Sequence, residues 1–289
     1  MTAHYSGSAA AARTGAPAGA GMCDTGAMTT VLIAAVLYLV AAALLMQRVA
    51  RGLAPGSASW ALPALGGVLA HAMYHVLVWR AVGGADMHFF AALSLTALGM
   101  AALTVLVGVR GQTGALGVVA FPLAAIAAIL YMRVPHVGHE GLDWRLQLHA
   151  WSALLAYSTL AMAALLALLL GVQERALRRR EFHRWLRALP PLTALETVLF
   201  RTIGVGFVLL SATLLTGILF VHDFFAQHLL HKTVLSFLSW LVFGALLLGR
   251  WRYGWRGARA SGWTLTAMAL LVLAFFGTKF VLELVLQRS

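Results

Sequence analysis

The sequence holds a single cysteine, Cys23, so no intrachain disulfide can form and no thiolate cluster can hold a metal. Charge is also scarce: charged residues make up 10% of the 289-residue chain, and only 9 of them are acidic. A soluble domain cannot bury a chain that is 61% hydrophobic while exposing so few charges. A soluble enzyme is thereby excluded, and the composition is that of an integral membrane protein. The 21 basic residues against 9 acids give a formal charge of +12. In such a chain that excess speaks to orientation in a bilayer, and not to a nucleic-acid partner.

What is present is long apolar runs, at about 28–46, 61–79, 88–109, 115–132, 146–171, 198–220, 232–249 and 263–286. Each is long enough to cross the hydrocarbon core. They predict an all-α, polytopic membrane protein with eight transmembrane helices. The loops between them alternate in charge. One set carries Arg48 and Arg51, then Arg110, then Arg175, Arg178, Arg179, Arg180, Arg184 and Arg187, then Arg250, Arg252, Arg256 and Arg259, against Glu174 and Glu181. The other set balances Arg80 with Asp86, Arg133 and Arg145 with Glu140 and Asp143, and Lys232 with Asp223. Arginine-rich loops stay cytoplasmic, which predicts both termini outside. Residues 1–27 are rich in Gly and Ala and lack the apolar core of a signal peptide. They read as a disordered tail ahead of a membrane domain over 28–289. The polar stretch 174–190 reads as a short helix on the inner leaflet, drawn to anionic lipid.

On this topology nine of the eleven histidines gather at or above the outer half of the membrane. His222, His228 and His231 crowd the loop before the seventh helix, and His88, His136 and His139 lie in other outer loops. His149 opens the fifth helix. His71 lies near mid-membrane, where a titratable group is costly and is by default a functional candidate. His75 follows one turn later on the same face. No HExxH or similar zinc spacing occurs. Imidazoles from opposite elements among aromatic side chains suit the axial positions of haem iron. Arg80, Arg145 and Lys232 suit either neutralisation of haem propionates from the outer rim or ordinary anchoring at the membrane interface. Lys279 and Glu283, one turn apart near the end of the eighth helix, offer a thinner case for a transporter.

Three segments resemble the CcsA/CcmC cytochrome c assembly superfamily, in particular its YpjD-like inner-membrane branch. "LAHAMYHVLVWR" (69–80) is similar to the family's second helix with its transmembrane haem-ligand histidine, which implies that role for His71. "LQLHAWSALLAYSTLAMAALLALLLGVQER" (146–175) is similar to the helix that opens with an external histidine, which implies His149. "LLHKTVLSFLSWLVFGALLLGRWRYGWRG" (229–257) is similar to the segment after the haem-presenting loop, down to its Gly-Trp-Arg-Gly turn. At 222–233, where the family has a tryptophan-rich loop, this chain has "HDFFAQHLLHKT". His228 and His231 are the local candidates for a substitute ligand opposite His149.

The resemblance implies a multi-pass protein of the bacterial inner membrane that acts in cytochrome c biogenesis. It would bind b-type haem non-covalently near the outer face through His71, His149 and His228 or His231. No bond-making chemistry by its own side chains is implied, so it would not be an enzyme. Its partners would be haem, the lipid bilayer and other membrane or cytochrome assembly proteins. The alternative is a haem-free accessory protein that keeps the fold and supports another membrane complex.

Overall fold

A computed structural model describes residues 20–54, 58–84, 86–110, 112–136, 143–180, 184–220 and 227–277, and the backbone alone at 20–24, 58, 110, 112 and 227–231. Among these residues all regular structure is helical. The helices are α1 (Ala20–Ala50), α2 (Ala58–Val82), α3 (Phe89–Arg110), α4 (Gly117–Met132), α5 (Trp144–Arg178), α6 (Leu192–Phe220), α7 (Gln227–Tyr253) and α8 (Gly257–Val272). A π-helical turn, Leu273–Gly277, continues α8. Eight helices are long and apolar enough to cross a membrane, as the sequence predicts.

Several helices run beyond the apolar runs: α6 starts at Leu192, α7 at Gln227 and α8 at Gly257, five or six residues ahead of 198, 232 and 263. α1 starts at Ala20, ahead of the boundary at 28. α5 runs on to Arg178, so the polar stretch 174–190 is not one surface helix. Its first residues finish α5, and a 3-10 turn over Arg184–Ala188 packs beside α1. Glu174 and Arg178, one turn apart, hold that last turn of α5 in helical form.

The helices form two halves. In the first, α1 packs on α2 and α4, and α3 on α4. Tyr38, Leu45, Trp60 and Phe121 fill its centre among small residues such as Ala34, Ala41, Ala64 and Ala124. In the second, α5 packs on α6 and α8, and α7 on α8. Its centre is built from Leu160, Leu166, Leu170, Leu199, Ile203 and Phe243. Lipid is as apolar as these cores, so close van der Waals packing holds the helices together, and small residues permit it. The outward faces are apolar as well, with Leu62, Leu69, Val208 and Ile218 all more than half exposed.

α3 and α5 join the halves. At that seam a Cβ on Gly99 would lie 2.3 Å from Ser158 Oγ and 2.7 Å from its Cβ, so glycine sets the approach. α7 is closed by Gly254, whose φ of +65° takes the left-handed conformation that suits a helix C-terminus. The amides of Gly254 and Trp255 then reach back to the carbonyls of Arg250 and Gly249. This is the Gly-Trp-Arg-Gly turn singled out in the sequence.

Candidate functional site

Four of the histidines, His71, His75, His88 and His136, meet at one end of the first half. His71, on α2, is fully buried. Its Nε2 lies 2.8 Å from Ser94 Oγ on α3, and its Nδ1 lies 3.4 Å from the Tyr38 hydroxyl on α1. One turn on, His75 Nε2 lies 3.0 Å from the same Ser94 Oγ. A serine hydroxyl has one proton to donate. Ser94 can donate to one imidazole and accept from the other, so a single hydroxyl serves a nitrogen of each ring. Apolar side chains on three helices would leave both rings unsatisfied in a medium without water, and Ser94 prevents this.

The cluster continues toward the loops. The ring of Tyr131 stacks on His75 at 4.9 Å between centroids, and its hydroxyl donates to Asp86 Oδ2 over 3.0 Å. The other oxygen of Asp86 accepts from the backbone amide and Nδ1 of His88. His136 Nδ1 stands 3.6 Å from Oδ2, while its Nε2 meets the Tyr74 hydroxyl at 3.0 Å. Burial works to raise the pKa of Asp86, but the His136 and His88 imidazoles and the His88 amide more than offset it, holding the carboxyl well below the usual range. Asp86 thus ties the α2–α3 loop to the end of α4. The sequence balances it against Arg80; the structure gives it to His88, Tyr131 and His136 instead.

His149 belongs to the second half. Its Nδ1 lies 3.2 Å from Thr216 Oγ1 on α6. The Thr216 hydroxyl proton is already directed at the carbonyls of Ala212 and Thr213, at 2.9 and 3.0 Å. With those carbonyls available to take its proton, Thr216 Oγ1 can accept from His149 Nδ1, an arrangement that leaves the lone pair on Nε2. Gly217 lets α6 come this near, since a Cβ there would stand 3.2 Å from His149 Cε1. No hydrogen bond or ring contact links His149 to the His71 group among the described residues.

His228 and His231 lie on the first turns of α7, where the backbone alone is described. His139 and His222 fall outside the described residues, as do Lys279 and Glu283. Arg145 lies over the rings of Trp144 and Phe220, at 5.6 and 5.7 Å. Among the described residues no three His, Cys, Asp or Glu side chains are placed to hold a metal ion.

For haem, the two sequence candidates fit unequally. A metal-bound histidine carries its proton on the other nitrogen, held by a fixed acceptor, and the His149–Thr216 contact allows that arrangement. His71 has both nitrogens engaged and no exposed surface. Beside it, the cavity bordered by His75, Trp79, Asp86, Tyr131 and Trp151 measures about 30 Å³. Sites for ligands of drug size take about 300–1,000 Å³. Ser94, Tyr38, Tyr74 and Tyr131 were not singled out by the sequence, because a lone hydroxyl in an apolar run carries no local sign of its partner.

Residues 60–286 match the sequence model of the cytochrome C assembly protein family. The chain is 33% identical over 168 residues to the inner membrane protein YpjD of Escherichia coli K12, covering 58% of this chain and 64% of that protein's length. It is 32% identical over 233 residues to an uncharacterized 28.8 kDa protein of Azospirillum brasilense, covering 80% and 82%. A cytochrome c biogenesis protein CcsA from a Synechococcus strain shares 25% identity over 250 residues, covering 67% and 72%. The eight apolar helices and the likeness to an inner membrane protein make this a multi-pass protein of the bacterial inner membrane. With more than half of its length matched, the chain belongs to the cytochrome C assembly protein family.

Proposed function

We propose that this chain handles haem for cytochrome c biogenesis, binding b-type haem non-covalently near the outer face of the membrane. Family membership supports the general role. The observation that carries the finer reading is the Thr216 hydroxyl, placed to accept from His149 Nδ1 and so to leave Nε2 as a lone-pair donor. Bound haem supplies an iron with axial positions for imidazole. The chain's own residues bind, orient and enclose it.

In this reading His149 is the external axial ligand, and His228 or His231, at the start of α7, is its partner. His71 is a deeper relay ligand. Its Nδ1 is the nitrogen to be released, because 3.4 Å to Tyr38 is longer than an ordinary O–H···N bond. The arginine-bearing ends face the cytoplasm and both termini face out, from the alternation of loop charge. The protein acts as a carrier, without bond-making chemistry of its own.

The small cavity beside His75 favours a second reading, in which the fold persists without haem and serves as an accessory to another membrane complex. Protein purified in detergent from haem-replete cells separates the two. A Soret band with about one haem per chain supports the first; its absence supports the second.

A further inference from the structure

At the end of the bundle away from the histidines, α5, α6 and the start of α8 border a cavity of about 320 Å³. Its walls combine Glu174, Arg178, Glu196 and Arg256 with Leu170 and Leu192. The acids are the enclosed members: their side chains are 15% and 9% exposed, against 73% for Arg178 and 64% for Arg256. Glu196 Oε1 accepts from the Gly257 amide at 2.9 Å, and its Oε2 faces Arg256 at 3.7 Å and Arg250 at 4.0 Å. Glu174 Oε1 is bound by Arg178 at 2.6 Å. Glu174 Oε2 is buried and has no hydrogen-bond partner among the described residues. A buried carboxylate oxygen without a donor is costly, and it marks a position for one.

Gly257 lets the Glu174 carboxylate lie against the α7–α8 turn. Its φ is +56°, and a Cβ there would stand 2.9 Å from Glu174 Oε2. The depth is that of the headgroups, since α5 leaves the hydrocarbon through Arg175, Arg178, Arg179 and Arg180. The walls carry two acids and two arginines, with Arg250 behind Glu196 as a third. A bare anion would meet the enclosed carboxylates, and a bare cation would meet the guanidinium rim. A zwitterion satisfies both.

We propose that this cavity binds the headgroup of a phospholipid with a primary ammonium, phosphatidylethanolamine. The ammonium donates to Glu174 Oε2, and the phosphate takes the outward N–H groups of Arg178 and Arg256. Leu170 and Leu192 lead the acyl chains back into the bilayer. Choline has the same charge and no N–H, so it cannot satisfy Glu174. The site is separate from the histidine cluster and does not depend on haem.

The test is native mass spectrometry of the delipidated full chain, titrated with phosphatidylethanolamine and phosphatidylcholine of identical acyl chains. Wild type should retain the ethanolamine lipid about tenfold better, as one charge-assisted hydrogen bond suggests. Glu174→Gln should bring it down to the choline level. Arg256→Gln, at an exposed position, should weaken both lipids and leave their ratio unchanged, which covers the case where Glu174→Gln does not fold. Equal retention of the two lipids by wild type would overturn the proposal. So would binding of free phosphoethanolamine without binding of the lipid, since that would make the ligand a soluble metabolite.

Discussion

Thr216 Oγ1 lies 3.2 Å from His149 Nδ1 across the α5–α6 interface, while its own hydroxyl reaches the helix carbonyls of Ala212 and Thr213. The ring of His149 is therefore oriented by a residue 67 positions away in sequence. Thr216→Val keeps the shape and removes the acceptor. It should lower haem affinity by roughly tenfold, in the range seen when the second partner of a ligand histidine is lost. Haem retention during gel filtration measures this.

Ser94→Ala leaves His71 and His75 without their shared partner inside the bundle. Loss of a buried partner costs about 1–3 kcal/mol. The variant should unfold earlier in a detergent thermal melt than Ser211→Ala, whose hydroxyl is only part-buried with Trp240 Nε1.

The seam between the halves gives a third expectation. Gly99→Ala drives a methyl into Ser158, whose Cβ belongs to a helix and cannot swing aside. Overpacking of this kind costs typically about 1–3 kcal/mol. Gly171→Ala, on the helix that carries Ser158 but with nothing within 4 Å of the new methyl, should hold or raise the melting temperature.

Asp86 sets a pH dependence. Its carboxyl lies below the usual range because the gains from His136 and His88 exceed the opposing effect of burial. A carboxylate depressed in the folded state stabilises above its unfolded pKa, about 3.9, and that stability is lost as pH falls toward the folded value. Wild type should therefore weaken steadily below about pH 5. Asp86→Asn, already without the charge, should show a flatter profile over the same window in thermal melts.

The eight spans are legible in the sequence because a span needs only length and apolar composition, and every run from 28 to 286 has both. His71 is legible too, since an imidazole within such a run is conspicuous wherever its partners lie. The partners are another matter. Ser94 and Tyr38 sit in runs where a small polar residue is commonplace, and only the packing of α1 and α3 against α2 brings them to His71. Glu196 lies just before the apolar run at 198, so it belongs to neither loop nor span by composition. Its role emerges when the α7–α8 turn folds back and the Gly257 amide meets it. Asp86 looks like the counterion of Arg80 by proximity along the chain, and the fold hands it to groups on α4 and the loop beyond.

Absorption spectra of oxidised and reduced protein, recorded for wild type and His149→Ala from haem-replete cells, bear on the haem reading at its base. Wild type should show a Soret band with the sharp reduced bands of bis-imidazole iron, and His149→Ala should lose haem or shift to a high-spin spectrum. His228→Ala or His231→Ala should reproduce that change if α7 carries the partner ligand. A wild-type spectrum without a Soret band, or a His149→Ala spectrum identical to wild type, would contradict the assignment of His149 as the haem ligand.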